Sequence, residues 1–180
     1  MRFVVLLRGV NVGKGNRVPM AELRVLLEGL GYTNVSTVLN SGNALFTSAG
    51  RSTSLHAAAI AGALHDRLGV STPVIVKTAA ELAAIIEASP IAPPETEHAR
   101  YLVAFAAEES ALDELVPLQA LAQAPERFVV GGLAAFLHCP AGILDSPVAK
   151  LLLGRAGKRI TTRNWATVLK LAAQTRVTAP

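Results

Sequence analysis

The apolar residues of the first 78 positions alternate between two spacings in a fixed order, and that order leaves few folds open. Phe3, Val4, Val5, Leu6 and Leu7 form an unbroken apolar run, the pattern of a strand buried on both faces. Met20, Leu23, Leu26, Leu27 and Leu30 then recur at helical spacing. Pro19 is tolerated in a first helical turn, and Gly31 supplies a left-handed stop. Residues 35–39 and 44–47 read as two strands turning through Asn40, Ser41, Gly42 and Asn43. A second helix is capped among Ser52, Thr53 and Ser54, runs through Leu55, Ala59, Ala63, Leu64 and Leu68, and ends at Gly69. Residues 73–77 add another strand. The order β-α-β-β-α-β is that of the split βαβ unit of a ferredoxin-like sandwich, with helices on one face of an antiparallel sheet. Thr78 and Glu81, at capping-box spacing, open a further helix through Leu82, Ile85 and Ile86.

Pro90, Pro93 and Pro94 mark residues 89–99 as a connection in which Glu95 and Glu97 are solvated charge. The order then begins again. Residues 101–106 read as a strand and 110–123 as a helix that Pro117 should kink or shorten. Residues 128–130 and 134–139 form a strand pair turning at Gly131 and Gly132. A helix over 147–155 and a short strand near Ile160 follow. A last helix from Arg163 carries Trp165, Val168, Leu169 and Ala172 on one face. The expected fold is therefore α+β: two tandem ferredoxin-like sandwiches with antiparallel sheets and an extra C-terminal helix. The first occupies residues 1–88, the linker 89–99 and the second 100–180.

Of the 180 residues 51% are hydrophobic, which excludes a disordered chain. The net charge is +4, and its distribution matters more. Residues 81–126 hold nine acids against the single basic Arg100, whereas from 146 onward there are seven basic residues and no acid. This asymmetry reads either as a basic face for an anionic partner or as surface charge compensated nearby in space. One cysteine, Cys139, leaves no intramolecular disulfide and no thiolate metal cluster, as expected in a reducing compartment. The apolar run before Arg8 is too short for a signal-peptide core, and no stretch is long enough to span a bilayer. The expectation is a cytoplasmic protein without a membrane partner.

The strand over residues 3–7 ends in Arg8 and becomes a loop of Gly9, Asn11, Gly13, Lys14, Gly15 and Asn16. Glycines let such a backbone turn sharply and aim its N–H groups inward, and Arg8, Lys14 and Arg17 add positive charge. That is the chemistry of an anion site. The loop is not a Walker A motif, because three residues separate Gly9 from Gly13 and Gly15 follows Lys14, nor is it a dinucleotide fingerprint. A plain turn would use the same glycines. In a split βαβ sheet the first and third strands are antiparallel neighbours, so this loop adjoins the turn holding Ser41 and Asn43. The amide of an Asn offers both donor and acceptor to a ligand.

Residues 161–165 form a second unusual run. Thr162 is the expected N-cap of the last helix, placing Arg163 and Asn164 in its first turn, where the helix dipole favours an anion and Arg163 can clamp it. Capping alone would explain the same residues. His56, His65, His98 and His138 lack helical metal-ligand spacing. His138 and Cys139 alternate across a strand, so they point to opposite faces, and Cys139 reads as a buried structural thiol. No nucleophile elbow and no metalloprotease helix is present.

The runs VLLRGVNVGKGN, LNSGNALFTS, TPVIVKTAAEL and ITTRNWATVLKL, kept in this order over residues 2–173, resemble the DUF1697 family, a domain of unknown function. The resemblance implies two ferredoxin-like halves and a bacterial cytoplasmic setting; it implies no established activity, and any cofactor is left open. The positions matching the family pattern are Arg8, Gly9, Asn11, Gly13, Asn16, Met20, Ser41, Gly42, Asn43, Thr161, Thr162, Arg163, Asn164 and Trp165. Three places depart from it: Lys14 between two glycines, Asn40 where glutamine is usual, and Pro147 where a lysine is usual after Ser146. The expected function is binding of a phosphate-bearing small ligand or nucleotide by Arg8, Gly9, Asn11, Gly13, Lys14, Asn16, Ser41, Asn43, Thr162, Arg163 and Asn164. The alternatives are nucleic-acid binding through the basic stretch and a non-catalytic role in binding a protein partner. Phe3, Phe46, Phe105, Phe128 and Phe136 lie within apolar runs and read as core, which disfavours a base-stacking platform.

Overall fold

A computed structural model describes residues 1–13 and 15–176. The chain divides into two compact units: Met1–Leu82 with the described residues from Leu171 on, and Ala83–Lys170. Each holds a four-stranded antiparallel sheet, so the protein is of mixed α+β class.

In the first unit, β1 (Arg2–Leu7), α1 (Met20–Gly29), β2 (Thr33–Thr37), β3 (Asn43–Thr47), α2 (Thr53–Leu68) and β4 (Val74–Thr78) follow in the expected order. The strands lie in the order β2-β3-β1-β4, which makes β1 a central strand. Period-two alternation turns Phe3, Val5 and Leu7 of β1, with Ala44, Phe46 and Val76, toward one face. There they meet the helical stripe Leu23, Leu26 and Leu27 of α1 and Ile60 and Leu64 of α2. Val4, Leu6, Leu45 and Ile75 on the other face are also buried, which accounts for the unbroken apolar run. The caps follow the sequence. The Ser52 hydroxyl accepts from Leu55 N at 3.2 Å, and Gly69 closes α2 at φ 63°. Gly31 (φ 82°) follows the end of α1. Thr78 and Glu81 form a reciprocal capping box for α3 (Ala79–Glu87): Thr78 N donates to Glu81 Oε2 at 2.7 Å and Glu81 N to Thr78 Oγ1 at 3.0 Å.

A polar ring sits inside the aromatic part of this core. His56 lies among Phe3, Tyr32 and Phe46, with its Nε2–H donated to the Gly50 carbonyl (3.2 Å) and its Nδ1 2.9 Å from the Tyr32 hydroxyl. A carbonyl can only accept, so Nε2 carries a proton, and in the neutral ring Tyr32 donates to Nδ1.

The second unit comprises β5 (Tyr101–Ala106), α4 (Ser110–Asp113), β6 (Arg127–Val130), β7 (Ala135–His138), α5 (Pro147–Leu153) and β8 (Ile160–Asn164), with α6 (Trp165–Thr175) after it. Its strand order β6-β7-β5-β8 has the same connectivity as the first sheet. Leu102, Ala104, Ala106, Phe128, Ala135 and Leu137 face Leu112, Leu115, Val148 and Leu152. The expected helix over 110–123 does not form as one piece. α4 is a single turn, and a 3₁₀ segment, Val116–Leu121, follows it with Pro117 in its first turn, because proline has no N–H to extend an α-helix. The run expected as a connection, 89–99, lies within the second unit and contains most of a 3₁₀ turn, Glu95–Arg100. Ser89 Oγ is 2.7 Å from the Tyr101 hydroxyl, and His138 Nε2 is 2.6 Å from Glu97 Oε2. Glu97 is therefore paired and not simply solvated. No helix among the described residues is long and apolar enough to cross a membrane.

Candidate functional site

The loop after β1 is held by its own polar side chains. Gly9, Asn11 and Gly13 have φ of 58°, 58° and 64°, and Asn16 has φ of 45°. Glycine and asparagine are the residues that enter this left-handed region at least cost, so the sequence places them where the chain needs them. The Asn11 side chain spans the loop: Oδ1 accepts from Val18 N at 2.9 Å, and Nδ2 donates to the Val18 carbonyl at 2.9 Å. Nδ2 also donates to the Asn40 carbonyl at 2.9 Å, and Asn11 N donates to the Asn16 carbonyl at 3.0 Å. Both Nδ2 protons are thus committed to the protein, and Asn11 acts as a brace. Lys14 lies outside the described residues.

The bond from Asn11 to Asn40 joins this loop to the turn between β2 and β3, as antiparallel pairing of β1 with β3 requires. In that turn Asn43 is fully buried and its Nδ2 donates to the Val38 carbonyl (3.0 Å) and to Ser41 Oγ (3.2 Å). Leu39 (φ 58°) and Gly42 (φ 73°) are left-handed. At Gly42 space asks for glycine as well: a Cβ would lie 2.5 Å from Val10 Cγ2 and 2.8 Å from Leu7 Cβ, so one of them would have to shift. Gly42 also accepts from Leu7 N at 2.8 Å, so the two loops approach to backbone contact. At Gly9 and Gly13 nothing lies within 4 Å of a built Cβ, and only the dihedral asks for glycine.

A third segment fixes the base of the loop. Arg8 N donates to the Pro73 carbonyl at 3.1 Å, and the Thr72 hydroxyl donates to the Arg8 carbonyl. Burial lowers the Arg8 pKa, and on β4 burial lowers that of Lys77 while Glu81 opposes the shift. Thr72, Val18 and Leu39 were not legible as part of this region. Thr72 and Val18 act through contacts that only the fold creates, and leucine carries no signal for a left-handed backbone.

Thr162, Arg163 and Asn164 are arranged differently from expectation. Residues 160–164 are a strand, β8, paired with β5 so that Val103 faces Arg163 and Ala104 faces Thr162. Thr162 therefore does not cap the last helix. Asn164 does, with Oδ1 accepting from Thr167 N at 3.0 Å and from Thr167 Oγ1 at 2.8 Å. Arg163 is not in a first helical turn. It lies on the sheet face opposite the helices, 8% exposed, and donates from Nη1 to Thr161 Oγ1 (2.8 Å) and the Thr162 carbonyl (2.7 Å). Burial lowers its pKa to about 10, which leaves it a cation at neutral pH. These residues belong to the second unit; those of the two loops belong to the first.

The charge asymmetry is partly compensated in space. Arg159, from the acid-free stretch, pairs with Glu114 at 2.6 Å and Glu108 at 2.9 Å. All five phenylalanines are buried. Cys139 is 1% exposed and burial pushes its pKa up to about 11, so it is a protonated, inert thiol. No group of three or more metal-ligating side chains occurs among the described residues.

The model of the family described as protein of unknown function (DUF1697) matches residues 1–136, which include both loops and stop short of residues 161–165. A solved structure titled as that of the conserved bacterial protein SP0830 from Streptococcus pneumoniae is 28% identical, with a TM-score of 0.74. The alignment covers 97% of this chain and 98% of that one. No curated protein matches.

Proposed function

The chain belongs to the DUF1697 family, and from that premise we propose that it binds a phosphate-bearing small ligand or nucleotide at the loop between β1 and α1. The observation that carries this reading is the alternation of left-handed residues at 9, 11 and 13, starting beside Arg8. Successive residues of alternating hand turn backbone N–H groups toward one point and make a concave site for an anion. Asn11 ties this loop to the Asn40 carbonyl and Asn43 braces the second turn from within, so the concavity is preformed and ordering it costs little on binding. In this reading Arg8 and Lys14 supply charge, Gly9 and Gly13 supply N–H groups, and Asn11, Asn16, Ser41 and Asn43 supply shape. Thr162, Arg163 and Asn164 lie on β8 of the second unit, where Arg163 supplies a further positive charge. We also read each unit as a ferredoxin-like sandwich, the reading that its strand order supports.

The test is a thermal-shift panel on wild type and Arg8→Gln with inorganic phosphate, pyrophosphate, nucleotides, phosphorylated coenzymes and short single-stranded oligonucleotides. A ligand at about 100 times its Kd should stabilise the fold by about 2.7 kcal/mol. Stabilisation by a small phosphorylated compound, lost in Arg8→Gln, is the expected result. A response to oligonucleotides alone that fades with salt would replace this reading with nucleic-acid binding, and no response at all would remove it.

A further inference from the structure

Among the described residues, every position of positive φ but one is held by Gly or Asn. The exception is Leu39, at φ 58° in the turn between β2 and β3. A leucine strains such a backbone, having a Cβ to clash and no side-chain polar group to stabilise it locally. Packing offsets little of that strain, because Leu39 is 51% exposed and lies outside the core of its unit. Leu39 precedes Asn40, whose carbonyl accepts from Asn11 and so ties this turn to the loop after β1. Val12 follows Asn11 on the other side of the same bond and is 72% exposed. One apolar side chain thus stands in the open on each loop, next in sequence to the bond that joins them.

Single exposed apolar side chains are ordinary on a protein surface. This pair is set apart by what adjoins it. Arg8, Lys14 and Arg17 place three cations in or beside the same loop. Nothing lies within 4 Å of a Cβ built on Gly9, Gly13 or Gly15, so the loop backbone is open to a ligand. Cations, free backbone and aliphatic surface in one place match an anion that carries an apolar body. Every Phe, Tyr and Trp is buried. The loops therefore offer neither the stacking rings of a single-strand binder nor the aromatic anchors of a membrane surface, which favours a small ligand over both.

We propose that the loop between β1 and α1 takes a soluble phosphate monoester with an apolar body, the phosphate seated in the cradle and the body covering Val12 and Leu39. This inference rests on the anion-binding reading of that loop and adds the class of its ligand. Leu39 is kept for what its side chain touches in the complex, and the free protein carries the strain.

Calorimetric titration compares methyl phosphate with 1-naphthyl phosphate, which share a headgroup and differ in the body. Wild type should bind the naphthyl ester about tenfold more tightly. Leu39→Asn installs a residue suited to the left-handed backbone, so it should raise the melting temperature of the ligand-free protein by about 2–4 °C. The same variant should reduce the naphthyl preference to about threefold or less, as should Val12→Ser. A preference lost in a protein that melts higher is not a consequence of unfolding. Saturable methyl phosphate binding with equal affinity for the naphthyl ester would overturn this inference and leave the anion cradle standing. A naphthyl preference unchanged in both variants would overturn it too. Absence of saturable binding by either ester would overturn the cradle and this inference together. Equal affinity for the two esters joined to binding of phosphatidic acid vesicles would replace the small ligand with a membrane surface.

Discussion

Replacing Gly42 by alanine tests whether the two loops of the first unit are built around a backbone contact. The new Cβ would sit 2.5 Å from Val10 Cγ2 and 2.8 Å from Leu7 Cβ. Val10 can rotate, but Leu7 Cβ is fixed at the end of β1 and is fully buried. Overpacking of this kind costs about 1–3 kcal/mol. The left-handed φ of 73° adds about 1–2 kcal/mol for any residue with a Cβ. The sum is about 2–5 kcal/mol. Gly13→Ala is the matched control, since its φ is 64° but its Cβ meets nothing within 4 Å. It should cost only the dihedral part, about 1–2 kcal/mol. Urea denaturation followed by far-UV circular dichroism reads both variants. The lone tryptophan is less suitable, because Trp165 lies in the other unit. Equal destabilisation by the two variants, or less than about 0.5 kcal/mol for Gly42→Ala, would refute the close approach.

Three further outcomes follow from named contacts. Asn11→Gly keeps the left-handed backbone but deletes the side-chain bonds to Val18 and Asn40, and should cost about 1.5–4 kcal/mol while the Val18 amide exchanges faster. Unchanged exchange at Val18 would contradict the bracing role. Tyr32→Phe strips the donor from His56 Nδ1 in the aromatic core and should lower stability by about 1–3 kcal/mol in a thermal melt, with no loss of secondary structure. Cys139 has a pKa raised to about 11 from 9.0, so at pH 8 only about one molecule in a thousand carries the thiolate and iodoacetamide should label it only after unfolding. The folded state holds its proton longer than the unfolded state. Stability from this group is therefore intact below about pH 9 and falls as pH rises toward 11.

Much of the fold was legible because local chemistry and global packing agree in the first unit. Ser52, Gly69 and the Thr78–Glu81 pair do in the structure what their side chains can do in isolation. The second unit was less legible where an element depends on partners distant in sequence. Residues 161–164 carry cap-forming threonines, yet pairing with β5 makes them a strand and passes the cap to Asn164. That pairing joins residues about sixty positions apart, and nothing in the threonines announces it. The candidate site divided in the same way. Its glycines and asparagines were visible as residues that tolerate left-handed backbone, whereas the tethers to Thr72 and Pro73 exist only once β4 lies beside β1. Asn11 showed a further limit: its amide could be read as a ligand contact, and the structure commits one donor to its own loop and the other to the neighbouring turn.

The most direct test of the central claim is a backbone amide titration of the full chain with pyrophosphate, following Gly9, Val10, Val12 and Gly13, since the Asn11 amide is committed to the Asn16 carbonyl. A preformed anion cradle requires the amides of these residues to move together along one saturable curve, with the braced Val18 amide unmoved. Shifts scattered over surface lysines and arginines with no saturation, or no shift at residues 9–13 while the protein remains folded, would contradict it.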